Sequence, residues 1–243
     1  MKNIILSCLF LFVIFSIGCR KEISNPVNNN SELGTPCPGV PTVTYAGKTY
    51  NTIQIGSQCW LKENLDVGIM INSVTGGTNS DGSQTNNDTI EKYCYDNDVN
   101  QCSIYGAFYQ WDEAMQYVTT PGAKGICPTG WHIPTRKEYS TLGKNIGTTD
   151  DGGSSYTGGN LLKAIGQGSG DGTGTNTTGF SALLSGYRNY DGTFESKGSY
   201  TLFWSSTPLG TTSANAILER NYGNLIINTG SNRGGLSIRC IKD

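Results

Sequence analysis

Six cysteines spread from Cys37 to Cys240 constrain this chain more than any of its apolar runs. Two others, Cys8 and Cys19, lie in the leader MKNIILSCLFLFVIFSIGC. Lys2 gives the leader a positive start, and Ile4 to Ile17 is an apolar stretch shorter than the roughly 20 residues a spanning helix needs. Small residues then precede Cys19, which is the pattern of a secretory signal. An exported chain meets an oxidising compartment, where an even number of cysteines is expected to pair. Sequence alone leaves the connectivity of six cysteines open, but local spacing gives a hint. Cys94 and Cys102 flank a turn-forming stretch, Tyr95 to Gln101. Cys37 and Cys59 bracket a predicted hairpin, which leaves Cys127 with Cys240. That last bridge would close a long loop and stabilise by about 4–5 kcal/mol in the chain-entropy model. The alternative use of these sulfurs is as a nucleophile or as metal ligands. There is no CxxC pair, and the lone histidine, His132, excludes a Cys2His2 zinc site.

The leader's last four residues, Ser16-Ile17-Gly18-Cys19, resemble the lipobox of bacterial lipoproteins, with Ser16 where Leu is most usual, a substitution seen in Bacteroidetes-like sequences. The resemblance implies a signal peptide over 1–18, cleavage after Gly18, and lipid (palmitate among its acyl chains) on Cys19. Arg20-Lys21-Glu22 loosely resembles the charged signals that direct some Bacteroidetes lipoproteins to the outer face of the outer membrane. The expected location is therefore a lipid anchor in the outer membrane with the domain on the cell surface. Residues 19–36, polar and rich in Asn, read as a flexible lipidated tether. Loss of Lys2 reduces 17 basic residues to 16 against 19 acidic, net −3. Without a basic stripe, nucleic acid is not an expected partner.

Residues 37–243 read as one domain. Glycine is 33 of 243 residues and charged residues are 15%, against about 7% and 25% in ordinary domains. Turn residues recur every few positions, so an α+β fold with two or three short helices, short strands and long loops is expected. Val43 to Tyr45 and Thr49 to Ile55 predict a hairpin, and Gly56 to Trp60 begins another strand. Phe108 to Val118 has helical spacing of Phe108, Trp111, Met115 and Val118. Thr135-Arg-Lys-Glu138 matches a capping box that starts a second helix, with Gly143 or Gly147 near its end. Asn160 to Ile165 suggests a third. Later strands are expected over Phe180 to Leu184, Phe203 to Ser206, Ala214 to Glu219, Leu225 to Ile227 and Leu236 to Ile241.

Ordered blocks then become recognisable: Thr49 to Leu65, Tyr93 to Asp98, Tyr105 to Trp111, Cys127 to Pro134, Gly179 to Ala182, Gly186 to Arg188, Trp204 to Ser206 and Ser237 to Cys240. In this order they closely resemble the Fibrobacter succinogenes major paralogous domain family, often lipoproteins and without an established activity. That family in turn looks like a distant relative of the formylglycine-generating-enzyme domain, a variant of the C-type lectin fold. The resemblance implies a disulfide-stapled, lectin-like domain. The enzyme relative depends on two active-site cysteines. No unpaired pair is evident here, so no catalytic constellation is expected.

His132, between Trp131 and Ile133-Pro134, reads as a structural residue capping backbone groups ahead of the helix at Thr135. Catalysis would need an orienting carboxylate and a nucleophile, and neither can be located from spacing. Asp96, Asp98 and Asn100 alternate as calcium ligands can, but no Glu follows at EF-hand distance, so a solvated turn is the preferred reading and no cofactor is expected. Asp88-Thr89-Ile90 resembles a Bacteroides-type O-glycosylation site at Thr89. Tyr and Trp suit recognition surfaces because a rigid ring carries a polar tip. On that ground Tyr187, Arg188, Asn189, Asn221 and Tyr222 are the candidate ligand contacts. The function expected is a non-catalytic surface module binding an extracellular glycan or protein. A structural or appendage-associated envelope subunit is the alternative, and an enzyme of the formylglycine-generating type a more distant one.

Overall fold

A computed structural model describes residues 34–76, 82–149 and 152–243. The leader, Cys19 and most of the tether lie outside the described residues. In chain order the first strands are β1 (Thr42–Tyr45), β2 (Lys48–Ile55), β3 (Gln58–Leu61), β4 (Ile69–Met70) and β5 (Glu91–Lys92). Helices α1 (Val99–Tyr105) and α2 (Trp111–Ala114), strand β6 (Trp131–His132) and helix α3 (Arg136–Ile146) follow. Then come β7 (Ser155–Thr157), β8 (Tyr187–Arg188), β9 (Phe194–Glu195), β10 (Tyr200–Leu209), β11 (Thr212–Glu219), β12 (Asn224–Ser231) and β13 (Ile241–Lys242). The fold is α+β, with more strand than helix. No helix among the described residues is long and apolar enough to cross a membrane.

Two antiparallel sheets dominate, one ordered β1-β2-β3-β13-β6 and the other β10-β11-β12-β7. In the first, the last strand inserts between β3 and β6, so both ends of the domain share one sheet. In the second, neighbouring side chains of a strand face opposite ways, and a register shift interrupts β10 between Trp204 and Pro208. Phe203, Ala216, Leu218, Leu225 and Ile227 pack into a core cluster with Tyr139, Leu142 and Ile146 of α3 and with Ile53, Ile55 and Trp60 of the first sheet. Each such large apolar side chain contributes about 1.5–3 kcal/mol on burial. Trp204 belongs to the other main cluster, with Trp111, Trp131, Leu61 and the Cys127 and Cys240 sulfurs. The three disulfides are Cys37–Cys59, Cys94–Cys102 and Cys127–Cys240, with Cα atoms 5.7, 5.1 and 5.9 Å apart.

The β1–β2 hairpin forms with Tyr45 opposite Lys48. The capping box also forms: Thr135 accepts from the Glu138 N–H at 3.2 Å, and Glu138 accepts from the Thr135 N–H at 2.7 Å. Gly143 lies inside α3, where a Cβ would come within 2.3 Å of the Tyr156 ring. The helix ends three residues later, and Gly147 is its C-cap.

Other expected elements differ. The helix over Phe108 to Val118 shrinks to Trp111–Ala114, because backbone pairing claims its start and left-handed residues end it. Phe108 bridges Tyr93 and Tyr109 bridges Leu236, while Gln116 and Tyr117 sit at φ 50° and 60°. The helix over Asn160 to Ile165 is only a 3-10 turn, Gly159–Leu161, since Lys163 pairs with Ala182 instead. That bridge is also all that Phe180 to Leu184 makes of a strand. Leu236 to Ile241 pairs with Tyr109, Phe203, β3 and β6 in turn rather than as one strand. Helix α1 occupies part of the stretch expected to be a turn, and Asp98 caps it by accepting from the Asn100 N–H at 2.9 Å.

Candidate functional site

The Trp204-bearing face of the β10–β11–β12 sheet floors a cleft of about 210 Å³. Strand register builds that floor. Trp204 lies opposite Asn215, and Asn215 opposite Asn228. One row along, Leu202 lies opposite Ile217. Trp204 is fixed because its indole N–H donates to the Tyr109 carbonyl at 2.8 Å. A Cβ at Gly230 would stand 2.8 Å from Asn215 Nδ2 and 3.5 Å from the Trp204 ring, so glycine there keeps the floor open. Asn215 is 1% exposed, and its Oδ1 has no hydrogen-bond partner among the described residues.

The β8–β9 hairpin forms a wall. Its hub is Glu195, which accepts from the Tyr187 hydroxyl at 2.9 Å, Asn189 Nδ2 at 3.0 Å and the Thr193 hydroxyl at 3.1 Å. Burial, and then the Glu195 hydrogen bond, push the Tyr187 hydroxyl above its ordinary pKa. Arg188 ties the hairpin down. Its guanidinium lies 4.4 Å from the Tyr93 ring centroid and donates to Ser73 Oγ at 2.6 Å and the Arg233 carbonyl at 3.1 Å.

Of the residues proposed from sequence, Tyr187, Arg188 and Asn189 line this cleft together, though the Arg188 side chain is 3% exposed and committed to protein partners. Asn221 and Tyr222 are not brought to it. Asn221 accepts from Ser169 Oγ at 2.7 Å, and the Tyr222 carbonyl accepts from the buried Lys163 ammonium at 2.9 Å. Sequence reasoning missed Trp204, Asn215, Asn228 and Tyr190. The signal for Asn215 was a polar residue among the alanines of Ala214-Asn-Ala216, mid-strand, where an amide is costly to bury.

A scan of family models matches the Fibrobacter succinogenes major domain over residues 53–242. The chain belongs to that family. No curated protein and no solved structure matches it. Of the sequence blocks that carry the resemblance, most form scaffold: Trp60, Tyr93, Trp111, Phe180 and Arg239 are all buried, while Tyr187, Arg188 and Trp204 line the cleft.

His132 does not cap backbone groups. Its Nδ1 is 2.7 Å from Asp243 Oδ1 and its Nε2 is 3.0 Å from Glu138 Oε1. Two acceptor-only carboxylates call for a proton on both ring nitrogens. The Glu138 hydrogen bond, then that of Asp243, raises the imidazole pKa against the opposing effect of burial. An imidazolium held at both nitrogens has no lone pair for general base work. Asp98 is engaged as a helix cap, and no group of three or more His, Cys, Asp or Glu among the described residues is placed to hold a metal. Thr89 is exposed on its loop.

Proposed function

We propose that this chain is a lipid-anchored cell-surface protein whose domain is lectin-like and binds an extracellular glycan, without catalysis, in the cleft over the Trp204–Asn215–Asn228 row. The observation that carries the reading is the orphaned Asn215 Oδ1. A buried acceptor left without a donor costs about 1–3 kcal/mol, and a ligand hydroxyl entering the cleft would satisfy it. Amides beside an indole and apolar side chains suit a sugar, which presents hydroxyls at its edge and C–H groups on its face. Among the described residues no carboxylate, imidazole, thiol or amine lines the cleft, which favours the binding reading. The lectin-like reading is supported by the terminal strand returning to the first sheet, the Cys127–Cys240 bridge and the loop-rich middle. Lipid on Cys19 supplies the membrane attachment, and exposed Thr89 is the proposed O-glycan acceptor.

Two experiments test this. A glycan array probed with residues 34–243 is expected to give a restricted set of saccharide hits, and a blank array contradicts the binding reading. Proteinase treatment of intact cells is expected to remove the domain, whereas survival alongside shaved surface proteins contradicts display.

A further inference from the structure

A larger cavity, about 400 Å³, opens elsewhere, between the β2–β3 region and α1. Three cations line it, Lys48, Lys62 and Arg239, against two carboxylates, Glu63 and Asp66. Both carboxylates are already committed. Asp66 is bonded by Lys48 on one oxygen and Lys92 on the other. Glu63 accepts from the Asn51 N–H and Asn51 Nδ2, each at 2.8 Å.

The cations are less well satisfied. Arg239 is 1% exposed, and no carboxylate among the described residues lies within 4.0 Å of its guanidinium. It donates to Asn64 Oδ1 from Nε at 3.0 Å and from Nη2 at 2.7 Å, and from Nη1 to the carbonyls of Phe180 at 2.6 Å and Leu61 at 3.4 Å. A guanidinium carries five N–H donors, so one Nη2 hydrogen lacks an acceptor among the described residues. Among the described residues the Lys62 ammonium has no carboxylate partner either. Burying a cation without a counter-charge is costly. The cavity lining thus carries one more cation than carboxylate, in a chain of net negative charge. Its rim is partly apolar, formed by Leu183, Ala164 and Ile104, the last 58% exposed.

We propose that this cavity is a second binding site, specific for an organic carboxylate with a short apolar segment. The carboxylate sits between Lys62 and the free edge of Arg239, and the apolar segment lies along Ile104 and Leu183. Its chemistry is separate from that of the neutral cleft.

Hexanoate, hexan-1-ol and hexylamine, titrated calorimetrically into the folded domain, test the site. Hexanoate is expected to bind saturably and more weakly as salt rises, with hexan-1-ol and hexylamine at least about tenfold weaker. Lys62→Gln, at a side chain with no carboxylate partner to lose, should weaken hexanoate about tenfold at unchanged melting temperature. Asn215→Ala should bind hexanoate as wild type does, so failure here and failure of the glycan reading are read separately. Equal binding of hexan-1-ol, no saturable hexanoate binding in the millimolar range, or an unchanged affinity in Lys62→Gln would each overturn the proposal.

Discussion

Arg239 lays its guanidinium 4.3 Å from the centroid of the Phe180 ring and donates to the Phe180 carbonyl at 2.6 Å. The two residues come from separate sequence blocks, 59 positions apart. One side chain thereby pins the loop-rich middle to the terminal segment, and through Asn64 to the residues after β3. Arg239→Ala would strand Asn64 Oδ1 and the Phe180 carbonyl inside the protein, so a loss of about 1–3 kcal/mol for each stranded acceptor is expected in urea denaturation. Arg239→Lys should recover little of it, since an ammonium cannot reproduce a planar fork. Near-wild-type stability of the lysine variant would contradict this role.

The disulfides predict chemical silence. Natively folded protein treated with iodoacetamide without reductant should show no alkylation at Cys37, Cys59, Cys94, Cys102, Cys127 or Cys240 by mass spectrometry. Labelling of any two of them would reopen a thiol-based activity. Replacing both Cys127 and Cys240 by Ser should cost about 4–5 kcal/mol on the loop-entropy argument, because the bridge spans 113 residues.

His132 gives the fold a pH dependence. Its folded-state pKa is raised, chiefly by Glu138, so its stabilising contribution is complete below the unfolded value of about 6.5. The contribution fades as pH rises through the higher folded value. Wild type should therefore exceed His132→Gln in stability by more at acidic than at alkaline pH, measured by denaturant titration across that range. A gap that widens with rising pH would contradict the geometry.

Much of the scaffold was legible because its signals are local. Thr135 and Glu138 lie three apart and announce their helix, and Val43 to Ile55 alternates around a glycine turn. Two local patterns misled. Phe108 to Val118 has helical spacing, but Tyr93 and Leu236 claim its backbone from far along the chain. The Asp98 cap was hidden in a stretch rich in turn residues. The site was half legible. Tyr187 and Asn189 carry polar handles that can be read directly, whereas Trp204, Asn215 and Asn228 become one row only through the register of three strands. His132 is the clearest case of the same limit, since Asp243 lies 111 residues away.

The cleft itself gives the most direct test. The saccharide selected on the array is titrated against wild type, Asn215→Ala and Tyr222→Ala, with each variant first shown to melt as wild type does. Asn215→Ala is expected to lose about tenfold or more, the size of one buried hydrogen bond to ligand, and Tyr222→Ala to bind as wild type does. Unchanged affinity in Asn215→Ala, or loss confined to Tyr222→Ala, would place the ligand elsewhere and contradict binding in this cleft.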